Sequence, residues 1–101
     1  MTITDVLRQI SGRTTDASGH VASYGVRAKG EQVAYLESRM NPRPRSVADF
    51  QVNWTTHWRD GEKIISESST DLKQLLDRFG EVDLQPMSAM KPAEFFARQA
   101  T

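Results

Sequence analysis

The chain has 101 residues, no cysteine and a formal net charge of zero. The absence of cysteine excludes disulfides, thiolate nucleophiles and cysteine-based metal sites, and zero net charge disfavours a strongly basic nucleic-acid-binding protein. Because no apolar run reaches the roughly 20 residues of a membrane helix, we expect a cytoplasmic protein without membrane contact, forming one small α+β domain over residues 1–101.

Residues 2–12 have the pattern of a short amphipathic helix. Apolar residues recur at helical spacing: Ile3, Val6, Leu7 and Ile10. Thr2 or Thr4 can cap the first turn, and Gly12 can end the helix. The polar residues 13–20 that follow are rich in turn formers, so we expect a loop there.

Residues 20–40 are predicted to form a β-hairpin with Lys29-Gly30 as a two-residue turn. That turn predicts two favourable cross-strand pairs on one face of the hairpin: Val26 with Val33, and Tyr24 with Tyr35. A shift of one residue between the strands would break both pairs.

A second hairpin is predicted after residues 41–46, Asn-Pro-Arg-Pro-Arg-Ser, which we interpret as a stiff connector with exposed arginines. Its first strand, from Phe50 to Arg59, alternates apolar and polar residues, which is typical of a half-buried strand. Asp60-Gly61 is the predicted turn, and residues 62–68 are predicted to form the returning strand.

The remaining chain favours two helices. Residues 68–80 carry a buried stripe ending at Phe79, with Ser68 or Ser69 as the cap and Gly80 as the stop. Pro92 suits the first position of a short terminal helix, and residues 81–90 between the helices are expected to form a loop. The predicted fold is therefore a four-stranded antiparallel sheet of two successive hairpins, with helices packed on one face, in the order α-ββ-ββ-α-α.

No pattern in the sequence indicates catalysis, a cofactor or a metal. The two histidines, His20 and His57, are far apart in the chain and show no metal-binding spacing. Serines are numerous, among them Ser23, Ser38, Ser66 and Ser68, but none lies in a nucleophile-elbow motif. We therefore predict no catalytic residue, metal ligand or cofactor, and we expect His57 to be exposed to solvent or to a partner.

Three surface features favour partner binding. The strand from Phe50 to Arg59 has a polar row that is expected to face outward, and arginines of the connector region suit phosphates or carboxylates. The predicted partner-binding residues are Arg39, Arg43, Arg45, Asn53, His57 and Arg59. Of the two predicted sheet edges, the polar strand 62–68 should resist pairing, whereas strand 20–28 could dimerise or accept a partner strand.

These features predict a small non-enzymatic protein that binds a protein partner as an inhibitor or adaptor, such as an anti-defence protein of a phage. A single-stranded nucleic-acid-binding domain is one alternative, with Tyr24, Tyr35 or Trp58 stacking on bases if any of them faces outward. A cofactor-free enzyme or small-ligand binder with a pocket between sheet and helices is the other. The sequence leaves monomer and homodimer open.

Overall fold

In the computed structural model, which describes residues 1–11 and 15–99, three helices accompany a five-stranded antiparallel sheet. The helices are α1 (Ile3–Ile10), α2 (Leu72–Leu76) and α3 (Pro92–Gln99). The strands are β1 (His20–Ala28), β2 (Glu31–Arg39), β3 (Asn53–Asp60), β4 (Lys63–Ser69) and β5 (Asp83–Met87). The strand order across the sheet is β4-β3-β2-β1-β5. None of the helices in these residues has the length and apolar character needed to cross a membrane.

The fifth strand corrects the predicted fold, because β5 arises from residues predicted as a loop. Its Leu84 lies opposite Val26 of β1 and is completely buried. On its outer side, Leu84 exchanges two backbone hydrogen bonds with Met1, each 2.8 Å long. Pro86 directs its nitrogen to the same outer side, where a missing N–H breaks no bond to β1. Strand β1 therefore lies inside the sheet, and its prediction as an open edge is wrong.

Helices cover both faces of the sheet, whereas the sequence predicted them on one. Helices α1 and α2 cover the main core, which includes Tyr24, Val26, Leu36, Trp54, Leu75 and Leu84. Helix α3 packs on the opposite face, where Phe95 and Phe96 contact Tyr35 in a second, smaller cluster. Consecutive strand residues point to opposite faces, so Tyr35 and Leu36 belong to different clusters.

The first hairpin has the predicted turn but not the predicted register. Lys29 and Gly30 have positive φ angles of 53° and 79°, as a type I′ turn requires. An irregularity beside Arg27 then shifts the pairing by one residue, so that Val26 lies opposite Ala34 and Tyr24 opposite Leu36. This bulge places Tyr24 and Tyr35 on opposite faces, and the two predicted cross-strand pairs do not form.

The second hairpin is shorter than predicted. Strand β3 begins at Asn53, because the preceding Val47–Phe50 forms a 3₁₀ turn. Asp60 pairs with Lys63, so Gly61-Glu62 is the turn rather than Asp60-Gly61. Phe50, predicted to pack against the helices, is instead 60% exposed.

Local signals placed the helix starts with one exception. Thr2 caps α1 and Pro92 opens α3, as predicted, and the structure adds a capping box between Thr2 and Asp5. The N-cap of α2 is Asp71 rather than Ser68 or Ser69. The predicted helix stop at Gly12 and the first loop residues, 13 and 14, lie outside the described residues.

Candidate functional site

The proline–arginine segment, residues 41–46, is exposed throughout and is held by local hydrogen bonds. The Arg43 backbone N–H donates to Asn41 Oδ1 at 2.9 Å. One carboxylate oxygen of Asp49, Oδ2, accepts from the backbone N–H groups of Arg45 at 2.8 Å and of Ser46 at 3.3 Å. Two prolines fix further φ angles. The segment is therefore a defined surface feature that presents Arg43 and Arg45.

The guanidinium groups of Arg43 and Arg45 have no ion-pair partner within residues 1–11 and 15–99. Their predicted exposure is confirmed. The carboxylate of Asp49, four residues beyond Arg45, is already engaged by backbone donors. The segment thus carries two positive charges that the described fold does not neutralise.

Beside this segment lies a cleft of about 770 Å³ between α1, the β2–β3 connection and the start of β3. Residues that form its walls include Leu7, Ile10, Pro42, Pro44, Phe50 and Trp54. Leu7 and Phe50 are 47% and 60% exposed, and Val47 of the same 3₁₀ turn is 91% exposed. No described residue that lines the cleft has an ionisable side chain. The cleft is thus an uncharged, largely apolar surface beside two arginines, and its polar lining residues are Ser11, Thr15, Asn41, Gln51 and Thr70.

Sequence reasoning missed this cleft because Phe50 was assigned to the buried face of a strand. A signal was present in Ser46-Val47-Ala48-Asp49, which has the spacing of a helical capping box and begins two residues after Pro44. Read in that way, the four residues predict a helical turn before β3 and release Phe50 from the strand pattern.

The structure separates the predicted partner-binding residues. Arg43 and Arg45 lie beside the cleft, whereas Asn53, His57 and Arg59 alternate with Trp54 and belong to the opposite face. Arg59 lies 5.9 Å from the centroid of the Phe96 ring. The predicted polar row is therefore not one continuous surface with the proline–arginine segment.

His57 is only 9% exposed, so its predicted exposure is wrong. Its Nδ1 lies 2.6 Å from Ser66 Oγ, and its Nε2 lies 3.0 Å from Glu37 Oε2. The imidazole also stacks on Tyr35 at 5.8 Å between ring centroids. Glu37 in turn accepts a bond of 3.1 Å from Arg39, the remaining predicted binding residue. These contacts join side chains of β2, β3 and β4.

Ser66, His57 and Glu37 are the three residue types of a catalytic triad, but their arrangement differs from the one that serine proteases use. In the serine protease arrangement, the nucleophile contacts His Nε2 and the carboxylate contacts Nδ1. Here the two contacts are reversed. Ser66 lies exposed on the edge strand, and none of the three residues lines the cleft. The geometry supports a role in joining the strands.

The hydrogen bond from His57 is the main cause that holds the pKa of Glu37 below its ordinary value. Burial opposes this shift, whereas the charge of His57 and the hydrogen bond and charge of Arg39 add to it. A carboxyl group with a depressed pKa stabilises the fold above its unfolded pKa and loses that contribution as the pH falls through the folded pKa. We expect the wild type to lose more stability than Glu37→Gln between neutral pH and about pH 3. Urea denaturation across this range measures the difference, and parallel stability curves for the two proteins would contradict it.

Of the aromatic residues proposed for base stacking, two are buried and the third, Trp58, is partly buried. Tyr24 and Tyr35 are 1% exposed. Trp58 packs edge-on against Phe79 at 6.0 Å, and the Arg78 guanidinium lies 4.1 Å from the Trp58 ring centroid. Within the described residues, no cluster of three or more His, Asp or Glu side chains could hold a metal ion.

Comparisons with known proteins returned no match among protein families, curated proteins or solved structures. The fold and the cleft therefore define the protein at the level of its class, an antiparallel α+β protein with an apolar surface cleft beside a basic segment.

Proposed function

We propose that this protein binds a protein partner through the cleft, and that the bound segment combines apolar and acidic side chains. The observation that carries the proposal is the position of an apolar cleft next to Arg43 and Arg45, which have no ion-pair partner in the described part of the chain. An apolar side chain of the partner would fill the cleft. Its carboxylates would meet the arginines.

The physical contributions to binding are separable. Burial of Leu7 and Phe50 by a partner would remove apolar area from water, at about 25 cal/mol per Å². Guanidinium groups form paired hydrogen bonds with carboxylates, which adds orientation to attraction. Because Pro42 and Pro44 restrict the backbone beforehand, less conformational entropy is lost when a partner docks.

The lining of the cleft supports binding rather than catalysis there. General acid–base catalysis needs a titratable group within hydrogen-bond reach of the reacting atoms, and the described lining has none. A small protein that acts by occupying a surface of its partner would be an inhibitor or an adaptor. An anti-defence protein of a phage is one example of that mode of action.

The proposal is tested with a fluorescently labelled synthetic peptide of alternating Leu and Glu, and with its Leu–Lys counterpart. We expect the acidic peptide to bind and the basic peptide to fail. The double variant Arg43→Ala/Arg45→Ala should weaken binding about tenfold, since each exposed ion pair contributes up to about 1 kcal/mol. Fluorescence anisotropy of the labelled peptide measures affinity. In a separate experiment, Trp58→Phe leaves Trp54 as the single tryptophan, so that a change in its fluorescence reports binding at the cleft.

Lys73→Ala/Lys91→Ala is the matched control, because it removes two exposed positive charges away from the cleft. Phe50→Ala should weaken binding, whereas Ile64→Ala changes an exposed apolar residue outside the cleft and should not. Equal binding of both peptides would contradict the proposal. Affinity that depends on Phe50 but not on the arginines would instead indicate a small apolar ligand, and salt-sensitive binding of an oligonucleotide would indicate nucleic acid.

A further inference from the structure

Strand β4 is an open edge of the sheet. It pairs with β3 on one side, and no strand among the described residues lies on its other side. The opposite edge of the sheet is protected, because β5 contains Pro86 and exchanges backbone hydrogen bonds with Met1. An open edge exposes backbone donors and acceptors that can pair with another chain, so β4 is the edge at which such pairing can occur.

The β3–β4 turn shows which backbone groups of β4 point outward. The two-residue loop Gly61-Glu62 is flanked by Asp60 and Lys63, and the residues that flank such a loop form a hydrogen-bonded pair. Every second residue from Lys63 therefore bonds to β3. The alternate residues, Ile64, Ser66 and Ser68, direct their N–H and C=O groups away from the sheet.

We propose that a second copy of this chain pairs with β4 in antiparallel orientation, about a two-fold axis at Ile65. This register places Ile65 opposite its own copy and Lys63 opposite Glu67 of the copy, twice by symmetry. Opposite charges in directly facing positions stabilise an antiparallel pair. The backbone hydrogen bonds form between Ile64 and Ser66 of the two copies, the residues whose polar groups point outward.

The charges of β4 support this register. Lys63 has no ion-pair partner in the described part of the chain, although lysine at an edge commonly prevents pairing. Glu67 accepts a bond from Arg78 through Oε2, which leaves Oε1 as the acceptor for the lysine of the copy. Lys63 and Glu67 lie four residues apart on this open strand. In antiparallel pairing, each of them therefore faces the opposite charge of the second copy. The charge that discourages a foreign strand therefore fits a second copy.

Cysteine cross-linking tests the proposal directly, because the chain has no native cysteine. Ile65→Cys should form an intermolecular disulfide in mild oxidant, since facing Cα atoms of a non-hydrogen-bonded pair are about 4.5 Å apart. Lys63→Cys alone should not cross-link, because its own copy lies four residues away along the strand, about 13 Å. A mixture of Lys63→Cys and Glu67→Cys proteins should give the mixed disulfide.

Sedimentation of proteins without cysteine tests association independently. We expect the wild type to dimerise as concentration rises, and Lys63→Glu to weaken the dimer about tenfold, because two attractive pairs become repulsive. Ile64→Pro should abolish the dimer while the monomer remains folded, since Ile64 gives no bond to β3; circular dichroism checks the fold. A wild type that stays monomeric at its highest soluble concentration, or a dimer that Lys63→Cys cross-links to itself, would overturn the proposal.

Discussion

Replacement of Tyr35 by alanine should lower the free energy of unfolding by about 3–5 kcal/mol, in the range for a large aromatic residue removed from a core. Tyr35 is 1% exposed. Its ring packs against Phe95 of α3 at 5.1 Å and against His57 of β3 at 5.8 Å, measured between centroids. The residue thus joins α3 to the sheet. We expect amide hydrogen exchange in α3 to accelerate more than in α1, which packs on the other face.

The Tyr35→Phe variant is the control, since it keeps the ring and removes the hydroxyl. That hydroxyl donates to Ser23 Oγ at 2.9 Å and accepts from the Met90 backbone N–H at 3.2 Å. Removal of the hydroxyl leaves the partly buried Met90 N–H without its acceptor, which costs about 1–2 kcal/mol. Chemical denaturation of both variants should therefore give a smaller loss for phenylalanine. Equal losses would show that the hydroxyl, and not ring packing, holds α3 on the sheet.

Replacement of Gly19 by alanine should lower the free energy of unfolding by about 2–4 kcal/mol. Gly19 has a φ of 88°, and a Cβ there would lie 2.6 Å from the Met40 carbonyl oxygen. That oxygen belongs to the backbone, so it cannot rotate away as a side chain would. The Gly19 carbonyl also accepts the Met40 N–H at 2.8 Å. A shift that relieves the contact would therefore disturb the junction between β1 and the end of β2.

Gly30→Ala is the matched variant for that experiment. Gly30 has a similar φ of 79°, but a Cβ there would meet no atom within 4 Å. Only the conformational cost remains, at about 1–2 kcal/mol for a residue with a side chain. The difference between the two denaturation midpoints isolates the contact with Met40. If both variants lost the same stability, the close approach at Gly19 would not matter.

The predictions that proved correct came from local signals. A capping residue, a proline at a helix start and a glycine with positive φ each act through neighbours in the chain, and Thr2, Pro92 and Gly30 show this. The exposure of Arg43 and Arg45 followed in the same way from the prolines beside them. The α+β class and the antiparallel sheet rested on such signals together with apolar periodicity.

The wrong predictions concern positions whose structure depends on contacts with residues that are distant in the sequence. The bulge in the first hairpin moves Tyr35 from the predicted face to the other, where Phe95 packs against it. A local turn rule cannot weigh that distant contact. Strand β5 contains a proline and alternates weakly, so its assignment depends on the open edge of β1 that it covers. The burial of His57 likewise depends on Glu37 and Ser66 from neighbouring strands.

The candidate site likewise depends partly on local sequence signals and partly on contacts between distant residues. The amino-acid sequence is enough to specify a stiff, exposed segment with two arginines, because proline restricts the backbone wherever it occurs. Folding of the whole chain places that segment beside a largely apolar cleft, since the cleft needs α1, the turn at Phe50 and the start of β3 to meet. The walls of the cleft come from residues that are far apart in the chain. These residues come together only when the sheet and the helices pack.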